Sequence, residues 1–350
     1  MFGSRIAALG LASPTGSWRP ASDAFDASRL TGISERRVCG AGEDSLTLAR
    51  RAAHRCLDAA GVRGSQLDAL LFAGITRFTD GLASFQLEPA LAQTLAADLG
   101  CSGALCLDVT NACAGVMTAL HMGDLLIGSG DAQRVLVVSG EYLSHVGHNA
   151  AGRVDRWNHP ELASLTLGDA GGALLLTKAD TPGFLAASFA TFPEHASLCT
   201  AGPARDAPGG VMQTDAAAIH LHAIREAPAV MQCALQRAGL GYADIDCVIP
   251  HQTSLRAIRA GRRHFAEHFG EDAKGWAVSL AGNGNTGTCT HLLSLGEAAL
   301  RGAVAVGDSV MFLVFASGLV VGSLVYRVTD PIALGEAALP AEPDRAGRAV

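Results

Sequence analysis

Two rhythms of apolar residues alternate along the 350-residue chain. Short continuous apolar runs at Arg5–Leu11, Arg134–Ser139, Ile245–Pro250 and Ser309–Phe315 predict buried strands. Longer stretches rich in small residues, Asn111–Ser129 and Asn285–Arg301, predict helices. The most apolar segment, Val310–Val325, is broken by Ser317, Gly318, Gly322 and Ser323. It reads as two buried strands joined at a glycine turn rather than as a membrane span. The opening MFGSRIAALGLAS is too short an apolar run for a signal peptide.

One pattern occurs twice. At a shift of 178, Leu57/Leu235, Ala60/Ala238, Gly61/Gly239, Asp68/Asp246 and Leu71/Ile249 coincide. Each copy reads as an amphipathic helix, a glycine stop, a loop and a buried strand. A shift of half the chain means two similar halves, because a solenoid repeats at shorter periods. Helices alternating with continuous apolar strands argue for α/β layers with both sheet faces covered. The expected units are residues 1–178 and 179–329, packed face to face. From Asp330 the chain turns to Pro, Ala, Glu and Arg without periodicity, so residues 330–350 are expected to be a loose tail.

Composition narrows the function. Apolar residues make up 49% and charged residues 17%, enough for a large core. The net charge of −7 argues against a nucleic-acid surface. Nine cysteines are scattered without a CxxC pair, which gives a zinc site or a disulfide framework little support. Free thiols fit a reducing cytoplasm.

Three residues carry candidate chemistry. Cys113 lies in Leu107-Asp-Val-Thr-Asn-Ala-Cys-Ala-Gly, where a strand gives way to a helix. Unpaired N–H groups and the positive dipole end favour a thiolate there. The same residues also suit a small buried apolar side chain. His251 ends the strand Ile245–Pro250, as an α/β site residue would. A histidine satisfied by its loop reads the same way. Asn285, in Gly282-Asn-Gly-Asn-Thr-Gly, is a second helix opener or an ordinary turn asparagine. The repeat connects the three: Cys113 and Asn285 open equivalent helices, and a pseudo-twofold arrangement brings those ends toward one crevice.

Ordered motifs extend across the chain to about Thr329. They are Thr31-Gly-Ile-Ser-Glu-Arg-Arg, Asp108-Val-Thr-Asn-Ala-Cys-Ala-Gly, Gly168-Asp-Ala-Gly-Gly-Ala, His251-Gln-Thr-Ser-Leu-Arg, Gly284-Asn-Thr-Gly and Phe315-Ala-Ser-Gly. With them the sequence resembles the thiolase superfamily, in its ketoacyl-ACP synthase III branch. The resemblance implies an α/β fold of five layers, αβαβα, with two pseudo-symmetric halves, and a homodimer. It also implies a Cys113, His251, Asn285 active site and an oxyanion hole from the N–H groups of Cys113 and Ser317. Chain-priming members of that branch grip coenzyme A with a Trp and an Arg near the start. The corresponding Ser22–Arg29 has no clear equivalent; Phe25 and Arg29 are the nearest candidates.

Further features refine the expected reaction. Phe85-Gln-Leu-Glu-Pro resembles the pattern of relatives that join acyl chains head to head or form pyrones. In those relatives the Glu is a base, donated to the partner subunit's pocket. Glu88 occupies that position. A malonyl donor makes its carbanion by losing carbon dioxide, whereas other donors must lose an α-proton that a buried Glu accepts. A glutamate before Pro89 at a helix start also has a plain electrostatic reading. Arg256, Arg259 and Arg263, with Arg262 among them, recur every three to four residues on one predicted helix. A solvated face accounts for them, as does docking of an acidic acyl-carrier protein or a phosphopantetheine phosphate.

The resulting expectation is a ketosynthase that forms a C–C bond between a Cys113-bound acyl group and an acyl, β-ketoacyl or malonyl thioester. Its substrates are acyl-CoA or acyl-ACP thioesters, with no metal or redox cofactor, no nucleic acid and no membrane. The alternatives are transfer of the acyl group to an oxygen or nitrogen nucleophile, or a non-catalytic partner of another ketosynthase.

Overall fold

The computed structural model describes residues 3–19, 27–82 and 84–335. Its strands form two principal sheets. The first contains β1 (Ser4–Ala12), β2 (Ala69–Ala73), β3 (Leu105–Val109), β4 (Arg134–Glu141), β5 (Ala170–Lys178) and β10 (Ala333–Leu334), in the order β10-β1-β5-β4-β2-β3. The second contains β6 (Phe184–Thr191), β7 (Cys247–Pro250), β8 (Ser309–Ala316) and β9 (Val320–Arg327), in the order β6-β9-β8-β7. In the first, β1 with β5 and β5 with β4 are antiparallel, and β4 with β2 is parallel. In the second, β6 with β9 and β9 with β8 are antiparallel, and β8 with β7 is parallel. The second sheet thus repeats four strands of the first.

Helices fill three layers around the sheets. They are α1 (Ser45–Ala60), α2 (Leu91–Leu99), α3 (Gly115–Ser129), α4 (Ala216–Ala238), α5 (Leu255–Phe269) and α6 (Thr290–Leu300). Strand residues sort by period two. Leu71 faces the central layer that holds α3 and α6, while Leu70 and Phe72 face α1 and α2. Likewise Phe312 points to the centre, and Met311 and Leu313 point toward α4. The result is αβαβα, with every sheet face covered. Fully burying one such side chain contributes about 1.5–3 kcal/mol.

Glycines set the spacing of the outer layer. A Cβ on Gly10 would lie 2.1 Å from Ala52 O, on Gly140 1.8 Å from Ser45 O, and on Gly171 2.3 Å from Leu48 O. Three neighbouring strands therefore let α1 lie directly on their backbone. The repeat is visible in the chain path as well. Helix α1 stops at Gly61 (φ 63°) and α4 at Gly239 (φ 69°), both left-handed. A 3₁₀ turn follows each, Gly64–Gln66 and Tyr242–Asp244, before β2 and β7.

Some expectations are corrected. The helix expected from Asn111 starts at Gly115, and the one expected from Asn285 starts only at Thr290, after a 3₁₀ turn at Gly287–Cys289. In the second case the backbone of Asn285 is engaged by Thr166 and Gly168, so it cannot enter a helix. Asp330 does not begin a loose tail. Ala333 and Leu334 pair with Ala8 and Leu9 on the open edge of β1, Gly335 N–H donates to Leu9 O at 2.9 Å, and Arg5 pairs with Asp330 at 3.1 Å. The rest of the expected tail, residues 336–350, lies outside the described residues, as does Phe25. Val310–Val325 falls on β8, the turn 317–319 and β9. Ala112–Ser129 is long and apolar enough to cross a membrane, and its helix α3 packs in the central layer.

Candidate active site

Where β3 ends, the chain makes a sharp turn before α3. Ala114 N–H donates to Asn111 O (2.9 Å) and Gly115 N–H to Ala112 O (3.0 Å). Ala112 takes φ 43°, a conformation that non-glycine residues rarely adopt. Cys113 sits in this turn, and its N–H donates to no protein acceptor among the described residues. Burial, with smaller contributions from the Glu141 carboxylate and Cys199, pushes its thiol up to about 12. The resting sulfur is thus protonated, which corrects the expectation of a thiolate: burial outweighs the helix start.

His251 follows β7 and is buried. Its backbone N–H donates to Leu313 O at 2.8 Å, and the His291 Nε2 lies 3.2 Å from the same oxygen. The two imidazoles stack with centroids 5.9 Å apart. Burial, with His291 beside it, pushes His251 down to about 3, so the ring is neutral at physiological pH. At rest the thiol is protonated and the imidazole neutral.

Asn285 is held from three sides. Its N–H donates to Thr166 O (2.8 Å), Gly168 N–H donates to its backbone O (2.9 Å), and Gly287 N–H donates to its Oδ1 (3.1 Å). A Cβ on Gly168 would lie 2.1 Å from Asn283 O, which explains the glycine that opens the Gly168-Asp-Ala-Gly-Gly motif. The Asn285 Nδ2 donates to nothing among the described residues. Asp169 in the same motif accepts from the N–H groups of Cys39, Leu143 and Ser144 at 2.6–2.7 Å, and fixes the adjoining loops.

Cys113, His251, Asn285 and Ser317 line one cavity of about 1190 Å³. The Ser317 N–H, like that of Cys113, meets no protein acceptor among the described residues. Unspent N–H groups at one cavity wall are what an oxyanion hole draws on. The other walls are largely apolar, including Phe78, Leu143 and Met212. The volume exceeds that of an ordinary small-molecule pocket and suits a long chain. Exposed lining residues mark its openings: Arg256, Arg263 and Leu221 at the α4–α5 side, Ile75 and Phe85 at the other.

The remaining candidates divide. Arg256 and Arg263 are exposed at the opening, and Arg259 is exposed on α5 without lining it. None of the three forms an ion pair among the described residues, whereas Arg262 pairs with Asp272 at 2.7 Å. Glu88 is exposed and absent from the cavity wall. The expectation of a buried glutamate beside the acyl channel is therefore not met within one protomer, because its loop points outward past Phe85.

Sequence reasoning passed over Glu141. It ends β4, is fully buried, and burial pushes it up to about 7 against four hydrogen bonds. The available signal was an acid closing the apolar run Arg134-Val-Leu-Val-Val-Ser-Gly-Glu.

Comparison with known proteins gives a consistent picture. Residues 107–192 match the family described as 3-oxoacyl-[acyl-carrier-protein (ACP)] synthase III, and residues 235–328 match its C-terminal counterpart. The beta-ketoacyl-[acyl-carrier-protein] synthase III of Rhodobacter capsulatus is 31% identical over 306 residues, covering 85% of this chain and 88% of that protein. The Novosphingobium aromaticivorans protein of the same name is 30% identical over 307 residues, with the same coverage. In structure, the chain resembles 3-oxoacyl-(acyl carrier protein) synthase III from Pseudomonas aeruginosa PAO1 (TM-score 0.77, 24% identity, 94% of this chain and 99% of that one). It also resembles OleA from Xanthomonas campestris (TM-score 0.81, 21% identity, 93% and 97%). These two structural likenesses bear on the fold.

Proposed function

Since the chain belongs to the 3-oxoacyl-ACP synthase III family, we propose that Cys113 takes an acyl group from a thioester and that the enzyme joins it to a second thioester by Claisen condensation. The observation that carries this reading is the shared cavity wall of Cys113, His251, Asn285 and Ser317, with the N–H groups of Cys113 and Ser317 and the Asn285 Nδ2 left unengaged among the described residues.

The first half-reaction begins from a thiol. Cys113 Sγ attacks the donor carbonyl as its proton passes to His251, which is neutral and therefore able to accept it. The N–H groups of Cys113 and Ser317 hold the oxyanion. The donor's C–S bond breaks, its thiol leaves with the proton, and the acyl group remains on sulfur. In the second half-reaction the Asn285 Nδ2, and His251 in the tautomer that carries its hydrogen on the cavity-facing nitrogen, donate to the carbonyl oxygen of the second thioester. Its α-carbon becomes nucleophilic by loss of carbon dioxide from a malonyl group or of a proton to Glu88. That carbon attacks the acyl–Cys113 carbonyl, a C–C bond forms, and the Cys113 sulfur departs as a thiolate that takes up a proton, from solvent after decarboxylation or from Glu88 after α-proton abstraction, to restore the resting thiol. These steps draw on side chains and thioesters alone.

The partners follow from the surface. Arg256 and Arg263 line the cavity at its exposed α5 side, Arg259 is exposed on the same helix, and the three fit an acyl-carrier protein or the phosphates of coenzyme A. The edge strand β3 exposes Leu105 and Leu107, and the neighbouring loop exposes Phe85 and Leu87. Asp108 ties the start of α2, which follows that loop, to β3 by accepting from Leu91 and Ala92 N–H at 3.1 and 2.8 Å. An unpaired strand edge beside exposed apolar side chains fits a second copy of the chain, and such a homodimer brings Glu88 to the partner's cavity. Nine unpaired thiols accord with a reducing cytoplasm.

Intact-mass spectrometry after incubation with a panel of acyl-CoA and acyl-ACP thioesters tests the reading. One acyl adduct is expected on the wild type and none on Cys113→Ala. A wild type that stays unmodified with every donor overturns it. Product analysis then separates a new C–C bond from an ester or amide.

A further inference from the structure

Glu141 links the two halves behind the wall formed by Ile75, Asn285 and Gly287. Its Oε1 accepts from the Thr288 hydroxyl at 2.6 Å and the Thr288 N–H at 3.2 Å; the Ile75 N–H lies 3.1 and 3.2 Å from its two oxygens. Ile75 follows β2 in the first half, and Thr288 belongs to the turn between Asn285 and α6 in the second. The Thr288 hydroxyl has one hydrogen. Given to the carboxylate, it leaves the Thr288 oxygen to accept from the Ser139 hydroxyl at 2.6 Å.

The carboxylate also determines what can stand at Gly287. That residue has φ +57°, and a Cβ there would lie 3.0 Å from Glu141 Oε1 and 2.8 Å from Leu143 Cδ1. Gly287 is the residue whose N–H fixes the Asn285 carboxamide. Glu141 thus bears directly on the turn that aims Asn285 and touches none of the reacting atoms itself.

We propose that Glu141 is a positioning residue for condensation: its carboxylate clamps the Asn285–Thr288 turn so that Asn285 meets the second thioester. This rests on the acyl-Cys113 reading given above. Two titratable groups face Glu141 from the elements around it, Cys113 in the turn before α3 and Cys289 at the start of α6. Burial is the main reason both thiols stay protonated, and the Glu141 carboxylate adds to it in the same direction. The donors to Glu141 are neutral groups, so nothing in its hydrogen bonds cancels that charge.

Glu141→Gln, Glu141→Asp and Thr288→Val test the proposal in the full-length enzyme. Iodoacetamide alkylation of Cys113 is followed against pH by intact mass, alongside acyl loading and condensation. In Glu141→Gln the alkylation midpoint is expected to fall by about 1 pH unit, because the like charge is gone. Acyl loading persists, while kcat for condensation drops roughly tenfold to a hundredfold with KM little changed. Glu141→Asp recovers part of kcat. Thr288→Val removes the shortest bond to the carboxylate, favours its neutral form, and moves the midpoint the same way; it stands in if Glu141→Gln does not fold. A folded variant with an unmoved midpoint and wild-type condensation overturns the proposal. A wild type that takes up no acyl group refutes the acyl-Cys113 reading, and the alkylation profiles still report on Glu141.

Discussion

Gly287 N–H donates to Oδ1 of Asn285 at 3.1 Å, which leaves the Nδ2 end of that carboxamide unspent at the cavity wall. The side chain therefore presents a donor to substrate. Asn285→Asp keeps the acceptor for Gly287 and replaces the donor with negative charge. Condensation is expected to fall roughly 10²–10³-fold, as when an oxyanion donor is removed. Acyl loading on Cys113 should remain near the wild-type level. Intact mass and product formation on the same sample check both; equal loss of the two half-reactions would contradict the assignment.

Gly140 bears on the fold. A Cβ there would stand 1.8 Å from Ser45 O, where α1 rests on β4. The contact is with backbone, so no rotamer change relieves it. Gly140→Ala is expected to destabilise by about 1–3 kcal/mol or more. Denaturant titration measures this, and an unchanged midpoint would mean that α1 is free to lift from the sheet.

Much of this architecture is legible in the sequence, for physical reasons. Gly61 and Gly239 mark equivalent helix stops because only a left-handed residue closes both, and the shift of 178 between them reappears in β2 and β7. The apolar runs ending near Cys113 and His251 delimit strand ends, which is where an α/β crevice forms. Three things were not legible. Asn285 reads as a helix opener, yet hydrogen bonds to Thr166 and Gly168, some 120 residues away in sequence, hold it in a turn. The protonation of Cys113 depends on burial that no local pattern reports. Glu141 looks like a strand-end surface acid until the second half covers it.

Buried histidines make stability depend on acidity. Burial pushes His251 down to about 3, and His145 and His291 to about 4, below the ordinary value of 6.5. Between those values and 6.5 the unfolded chain binds protons that the folded chain does not. Their contribution is fully present above pH 6.5 and is lost as pH falls toward 3–4, at about 1.4 kcal/mol for each pH unit per group. Glu141, raised to about 7, acts oppositely: its contribution is present below about 4.5 and lost as pH rises through 7. Three groups outweigh one, so the thermal midpoint should drop between pH 6.5 and 5. A flat or rising midpoint in that window would contradict the burial of these rings.

Arg256 and Arg263 stand at the cavity opening on α5 without ion-pair partners among the described residues. Charge reversal at both is expected to raise KM for acyl-ACP roughly tenfold and to remove its salt dependence. A short thioester lacking phosphate and protein should be turned over as before. If KM for both kinds of donor shifts alike, the arginines shape the pocket instead of docking a carrier.

Glu88 and Cys113 are separated within one protomer, Glu88 being exposed and Cys113 lining the cavity. The proposed homodimer through the β3 edges would reunite them across its interface, and subunit mixing tests this. Cys113→Ala alone has no nucleophile, and Glu88→Gln alone lacks the base for a non-malonyl donor. In a mixed dimer, the intact Cys113 of one subunit receives the intact Glu88 of the other. Random pairing makes half the dimers mixed, each with one working site, so activity should return to roughly a quarter of the wild-type level. The same mixture made with β3 carrying Leu105→Asp and Leu107→Asp in both subunits should remain inactive and elute as monomer. Glu88→Gln that condenses non-malonyl donors at the wild-type rate, without any mixing, would remove Glu88 from the reaction.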